Sequence, residues 1–380
     1  MLGLRNLMES ALQDTSNDVK EAQKRVVDKF SEALDSGKIS LANGVSLREA
    51  FDVLCNPKGD VDLGNSARVA EAMVGTAFPY FTEKVLVPII RREYEWALND
   101  ILSLCTETTT NKQTVNVPGL GNFQGAEKVG SGQEYVHDQG EENMCTVKLH
   151  KYGHIIDITR EAILNDEAGI LESRAAGAGK YMGRLIHEIG VKKLTNVTTI
   201  SLNGEGANTA FTYNETGYAH FSTDHSSIDG QTNSNVDTTA FSYAGITAVE
   251  KLLLLMKDDR GKRAPVMPKV LMVPVALRQT AMQLLGSERQ YDNANNAVNV
   301  YKNAFVPFYS PFLDDNSSTL YYLGDPKTAF YLFWRMRPTT TVQSTGSDDA
   351  FKRDIVLAYK YASEFNFGLL DYRVVARGSS

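Results

Sequence analysis

DEAGILESRAAGAGKYMGRLIHEIGVKKLT, residues Asp166 to Thr195, is the stretch on which the rest of the chain depends. Asp166 is a good N-cap; Glu167 and Glu172 lie toward the positive end of the helix dipole, Lys192 and Lys193 toward the negative end. Leu171, Ala175, Ala178, Met182, Leu185 and Ile189 recur at spacings of four and three, which makes one continuous apolar stripe. A helix over the whole stretch would reach roughly 45 Å. Yet it carries Gly169, Gly177, Gly179, Gly183 and Gly190, each costing roughly 1 kcal/mol against alanine in a helix interior. Either this is an ordinary core helix broken at Gly177–Gly179, or it is a single spine with another element packed so closely that side chains do not fit. The second reading is the one carried forward.

On the N-terminal side of the spine, residues 105–158 read as one long β-hairpin. TETTTNKQTVNV goes out and MCTVKLHKYGHIIDIT returns, around a glycine-rich tip with too little apolar content to pack on its own. The tip has no GxxxxGK[ST] pattern and no strand-to-helix context, so phosphate binding is not expected there. Before it, AMVGTAFPYFTEKVLVPIIRREYEWALNDILSLC is an apolar segment in which Pro79 and Pro88 are expected to break regular structure. Earlier still, Val19, Ala22, Val26, Phe30 and Ala33 have helical spacing, and Ser46-Leu47-Arg48-Glu49 is a capping box for a second helix.

On the C-terminal side, residues 196–240 are a polar connector rich in Asn, Thr and Ser. Residues 241–328 alternate helix and strand: Ser242 caps a helix with Ile246, Val249, Leu253 and Met256, Val270–Val273 is a short buried strand, and Pro274 opens a helix with Leu277, Ala281, Leu284 and Leu285. From Ala329 the chain is strand-rich, with AFYLFWRM, then FKRDIVLAYKY alternating through Phe351, Ile355, Leu357, Tyr359 and Tyr361, then DYRVVA. Strands so far along the chain must return to the spine if it is to be buried. The expected class is therefore α+β, a helix-plus-sheet domain with one lobe inserted and one hairpin projecting.

The 380 residues suffice for two or three domains with a substantial core, and the net charge of −7 argues against a basic face that seeks nucleic acid. Cys55, Cys105 and Cys145 form no CxxC pair and no metal spacing. No apolar run approaches a membrane span and the first residues lack a signal-peptide pattern, so a cytosolic product is expected. Asp224 and His225 are adjacent, but chain neighbours in a loop seldom orient each other as a triad does, and no GxSxG, HExxH or Cys-His signature accompanies them. His225 is expected to be a solvent-facing loop residue. No catalytic, cofactor-binding or metal residue is assigned.

The order of arm, hairpin, spine, inserted lobe and returning strands resembles the major capsid proteins of tailed bacteriophages, with the Hong Kong 97 type of fold. KVLMVPVALRQTAMQLLGS is similar to the strand and helix of that family's inserted lobe. FVPFYSPFL…TLYYLGDP resembles the segment after it, and AFYLFWRMRP and DDAFKRDIVLAYKYASEFNFGLLDYRVVARG resemble the closing strands. The likeness spans residues 67 to 377. It implies a helical leader at 1–60 (scaffold-like and removed by a separate maturation protease), an arm at 61–104 and an extended loop at 105–158. It further implies a peripheral domain at 159–235 with returning strands at 329–380, and an axial domain at 236–328. It also implies a homo-oligomer, hexamers and pentamers closing into an icosahedral shell that confines double-stranded DNA. Portal, scaffold and decoration proteins are the implied partners, the host cytoplasm the place of assembly and the virion the destination.

An encapsulin-type compartment with the same fold is the nearest rival; a hydrolase using His225 or His154 and a tail-tube or adhesin protein stand further off. Some members of the capsid family join a loop lysine to an asparagine, with a glutamate seven residues later taking the proton. In this sequence the asparagine position is Asp354 and the glutamate position Tyr361. An ionised carboxylate is a poor electrophile and a phenol a poor base at neutral pH. Lys112, Lys128, Lys148 and Lys151 are therefore not expected to cross-link.

Overall fold

The structure, a computed structural model, describes residues 19–35, 52, 54–55, 78–120, 142–159, 161, 170–195, 220–226, 232–258, 261–290, 297–344 and 355–379. The helices among them are α1 (Val19–Asp35), α2 (Phe78–Leu102), α3 (Ile170–Leu194), α4 (Tyr243–Leu254), α5 (Arg278–Gly286) and the single turn α6 (Pro311–Asp314). The first six strands are β1 (Thr106–Thr109), β2 (Thr114–Leu120), β3 (Glu142–Lys148), β4 (His150–Thr159), β5 (His225–Ser226) and β6 (Thr232–Asn233). Then come β7 (Val236–Asp237), β8 (Val270–Val273), β9 (Val306–Tyr309), β10 (Tyr321–Gly324), β11 (Phe330–Ser344), β12 (Ile355–Leu369) and β13 (Val375–Gly378). They form a four-stranded sheet ordered β1-β11-β12-β4, a five-stranded sheet ordered β7-β13-β10-β8-β9, and the pairs β2-β3 and β5-β6. The chain divides into two compact units: Met1–Asn99, Lys151–Leu185 and Met336–Glu364 in the first, and Asp100–His150, Ile186–Arg335 and Phe365–Ser380 in the second.

The 25-residue helix α3 passes Gly177 and Gly179 without a break, which settles the choice left open by its sequence. Ala175, Met182, Leu185 and Ile189 of the apolar stripe are buried, while Ala178 is half-buried. The expected N-cap at Asp166 lies outside the described residues, as does the capping box at 46–49. In the first unit the reason for glycine is visible. A Cβ at Gly179 would sit 2.4 Å from the carbonyl oxygen of Ile90 and 3.2 Å from Cβ of Glu93, whereas one at Gly177 would meet nothing within 4 Å. Lys180 Nζ lies 3.4 Å from Glu93 on the same pair of helices. Ser363 of β12 donates a weak bond to the Met182 sulfur at 3.6 Å. In the second unit Gly190 repeats the pattern, since a Cβ there would come within 2.8 Å of Ile101 and 2.9 Å of Phe367.

The segment expected to be broken by prolines is instead a helix of 25 residues, α2, with Pro88 inside it. Pro79 falls in the first turn, where its missing N–H has no partner to lose. Pro88 costs about 3 kcal/mol in a helix interior, but Ile89, Ile90, Tyr94 and Leu98 are all buried. Burying one such side chain contributes roughly 1.5–3 kcal/mol, so packing outweighs the local preference.

The hairpin is narrower than residues 105–158. β2 and β3 pair antiparallel from Thr114↔Lys148 to Leu120↔Glu142, but β1 leaves them and runs parallel to β11, Thr106↔Tyr331 to Thr109↔Trp334. The Trp334 indole donates to Glu107 at 3.1 Å. Residues 121–141 lie outside the described residues.

In the second unit the α/β portion read at 241–328 is present. Ser242 caps α4 by accepting from the Gly245 N–H. Ile246, Val249, Leu253, Leu271, Val273, Ala281 and Leu284 share one core with Tyr321 and Ala376. The outermost strand is β9, parallel to β8 with Val270↔Val306 and Leu271↔Pro307. β12 departs from simple alternation: Phe365, Phe367 and Leu369 are buried along with Asn366, so this end is covered on both faces.

Candidate functional site

The Asp224–His225 pair does not form a reactive centre, and His225 is not solvent-facing. Its ring is 3% exposed and lies parallel to Tyr372 with centroids 3.8 Å apart. His225 Nε2 is 3.3 Å from Asn235 Oδ1. That amide orientation is set by its other partners. Asn235 Oδ1 accepts from the Ser222 N–H at 3.0 Å, and Nδ2 donates to the carbonyls of His220 at 2.8 Å and Tyr372 at 3.2 Å. Asn233 adds a bond to the Tyr372 hydroxyl at 3.0 Å. Burial holds the His225 pKa below its ordinary value, against the Asn235 bond, the His220 backbone bond and the charges of Asp224 and Asp371. The Asp224 side chain is exposed. The asparagines that made this connector look solvated are what satisfies its buried polar groups.

A second histidine escaped the sequence reading. His187, two residues from both Leu185 and Ile189 and so off the apolar stripe of α3, places Nε2 3.0 Å from Ser310 Oγ, and burial lowers its pKa against the charge of Asp100. The residue types are those of a hydrolytic triad, but the Ser310 side chain is fully buried. Its hydroxyl also caps α6 by accepting from the Phe312 N–H, and the imidazole is boxed between Phe308 and Phe312 at 5.8 and 5.4 Å. A nucleophile needs room for a carbonyl and an oxyanion site beside it; this one is a structural contact. His154 is exposed on β4.

Cys55 and Cys105 are buried, and the Cys105 pKa is pushed up to about 12, by burial first and then by the Glu107 charge. That thiol is inert. No group of three or more His, Cys, Asp or Glu able to hold a metal is found among the described residues. Nor is any described helix long and apolar enough to cross a membrane. Of the cross-linking positions, Tyr361 is 3% exposed and burial raises its pKa. Lys112, Lys148 and Lys151 are exposed, and Lys128 and Asp354 lie outside the described residues.

The feature with chemical consequence is apolar rather than titratable. The α/β portion of the second unit exposes Met267 (68%), Val275 (48%), Met282 (56%), Val298 (75%), Val300 (69%) and Val306 (66%). Val275 and Met282 stand seven residues apart on one face of α5 and its lead-in turn, lining an open groove with Arg278, Gln279, Gln283 and Gly286. Scattered exposed apolar residues are ordinary; these fall within 267–306 among the described residues, and Val275 and Met282 share one groove.

Among solved structures the chain is similar to that of Mycobacterium phage Ogopogo, at 16% identity and a TM-score of 0.47, over 73% of this chain and 91% of that one. It is similar to that of Mycobacterium phage Bobi, at 15% identity and a TM-score of 0.45, over 74% and 89%. The capsid structure of the Cyanophage P-SCSP1u gives 10% identity and a TM-score of 0.48, over 73% and 86%. No curated protein matches. The family model described as phage capsid protein matches residues 142–378, from β3 through the last strand and so well over half of the sequence; the chain belongs to the phage capsid protein family.

Proposed function

We propose that this chain is the major shell protein of a phage head, assembling as hexamers and pentamers into a closed icosahedral container for double-stranded DNA. The observation that carries the reading is the family match across residues 142–378. The apolar side chains exposed at 267–306 support it, because a shell subunit must present surface to its own copies. Residues 236–328 would be the axial portion meeting neighbours around each ring, and β2 with β3 the base of a loop laid over the adjacent subunit. Residues 1–60 would be a leader removed during maturation, with portal, scaffold, protease and decoration proteins as partners. The chain's net charge of −7 suits a wall that confines DNA without gripping it.

Electron microscopy of the expressed full chain tests this. Closed shells, or rings of five and six subunits, are expected; a chain that stays monomeric at every concentration would refute the reading. Uniform small cages enclosing an enzyme would transfer it to the encapsulin alternative.

A further inference from the structure

Two neighbouring buried histidines of the second unit differ in what their surroundings offer a proton: burial lowers the pKa of both, but only His225 has groups that oppose it. His225 faces two acceptors, the Asn235 amide oxygen and the backbone of His220, with Asp224 and Asp371 acting on it. It stacks on Tyr372. A neutral imidazole has one N–H for two acceptors, and an imidazolium has two, so these acceptors offset part of the burial that holds the His225 pKa below its ordinary value. His220, 3% exposed, has nothing comparable. Its Nε2 is buried without a hydrogen-bond partner among the described residues, as is Nε of Arg377. The charged groups acting on it are His225 and Arg377, both of which oppose a second positive charge. Phe221 fills the space between, edge-on to His220 at 4.4 Å, with the Arg377 guanidinium 5.4 Å over its face and Tyr322 at 5.3 Å.

The segment 220–226 is tied to residues 372–375 by the His225–Tyr372 stack and by Asn235, whose amide bridges the carbonyls of His220 and Tyr372 on one side and the Ser222 N–H on the other. We propose that His220 is the trigger of an acid-opened latch. A proton on Nε2, with no acceptor there among the described residues and with Arg377 and His225 opposing it, drives the 220–226 segment off its seat on β13 while the rest of the five-stranded sheet stays folded. Burial is the largest influence on this ring and, with the two cations, lowers its pKa from 6.5 to about 3. The closed form is therefore favoured above the ordinary histidine pKa, and that preference is lost progressively as pH falls below it. With an ordinary ring in the open form and the buried one in the closed form, the open fraction rises about thirtyfold between pH 7.5 and pH 5.0. The latch does not depend on the shell reading.

Hydrogen–deuterium exchange with mass spectrometry on the full-length chain tests it, at pH steps from 7.5 to 5.0 and rescaled for the intrinsic pH dependence of amide exchange. Peptides covering 220–226 should open about thirtyfold more at pH 5.0, while those covering 270–273 and 321–324 stay protected. His220→Gln should remove the larger part of that response and His225→Gln the smaller part, because only the His225 ring keeps acceptors in the closed form. Opening of all these peptides together, a flat wild-type profile, or a His220→Gln protein that keeps the full response would each overturn the proposal. If His220→Gln does not fold, the wild-type profile and the His225→Gln response still decide it.

Discussion

Replacing Gly179 by alanine sets two known effects against each other inside α3. Helix propensity favours alanine by about 1 kcal/mol, and at Gly177, where the added methyl meets nothing within 4 Å, that gain should appear nearly whole. At Gly179 the methyl would lie 2.4 Å from the Ile90 carbonyl oxygen. A carbon and a carbonyl oxygen settle at about 3.3–3.6 Å, so α2 and α3 would have to separate by about 1 Å there. The obstructing atom is backbone and cannot rotate away. Overpacking of this kind costs typically 1–3 kcal/mol, which exceeds the propensity gain. The expected order of stability is Gly177→Ala above wild type above Gly179→Ala, with the two variants about 1–3 kcal/mol apart, because the propensity gain is common to both. Urea unfolding of unassembled chain, followed by circular dichroism at matched concentration, measures the midpoints. A Gly179→Ala protein as stable as Gly177→Ala would refute the claim that glycine is there to let the helices touch.

Three further outcomes are expected. Gly190→Ala should destabilise the second unit, but less severely than Gly179→Ala does the first, because its obstructing atoms belong to the side chains of Ile101 and Phe367; the same urea series reads this. Met282→Asp places a charge on an exposed position, so thermal melting should move little while electron microscopy shows fewer rings or shells; unimpaired assembly would remove this face from the interface. Boiled in detergent, mature particles should give one monomer band, since a buried phenol with a raised pKa stands at Tyr361. A surviving ladder of pentamers and hexamers would show that another residue serves as the base.

What could be read from the sequence was what local chemistry decides. The run of α3, the Ser242 cap, the strand Val270–Val273 and the apolar spacing of α5 all follow from patterns a few residues long. What could not be read depends on partners far along the chain. Nothing near Thr106 indicates that it will lie parallel to Tyr331 rather than in a hairpin. The helix through Pro88 is decided by burial of Ile89 and Ile90. Residues 220–226 and 233–235 looked solvated because they are polar, but Asn233 and Asn235 spend their amides on each other's neighbourhood and on Tyr372. His187 and Ser310 sit 123 positions apart, and nothing in sequence spacing could pair them.

The outer strand of the five-stranded sheet carries a lesson about how copies of this chain avoid sticking indiscriminately. Val306 points its N–H inward, to the Lys269 carbonyl at 2.8 Å. Backbone direction alternates along a strand, so the following nitrogen faces the open edge, and that nitrogen belongs to Pro307. An edge with a missing donor makes a poor template for a visiting strand. A protein made in many copies that must meet one another is exposed to runaway cross-β growth at every bare sheet margin. Here the margin is blunted by covalent chemistry. Contacts between copies through this margin then fall to side chains, whose fit is specific to one partner and one angle, rather than to the backbone, which would accept any strand.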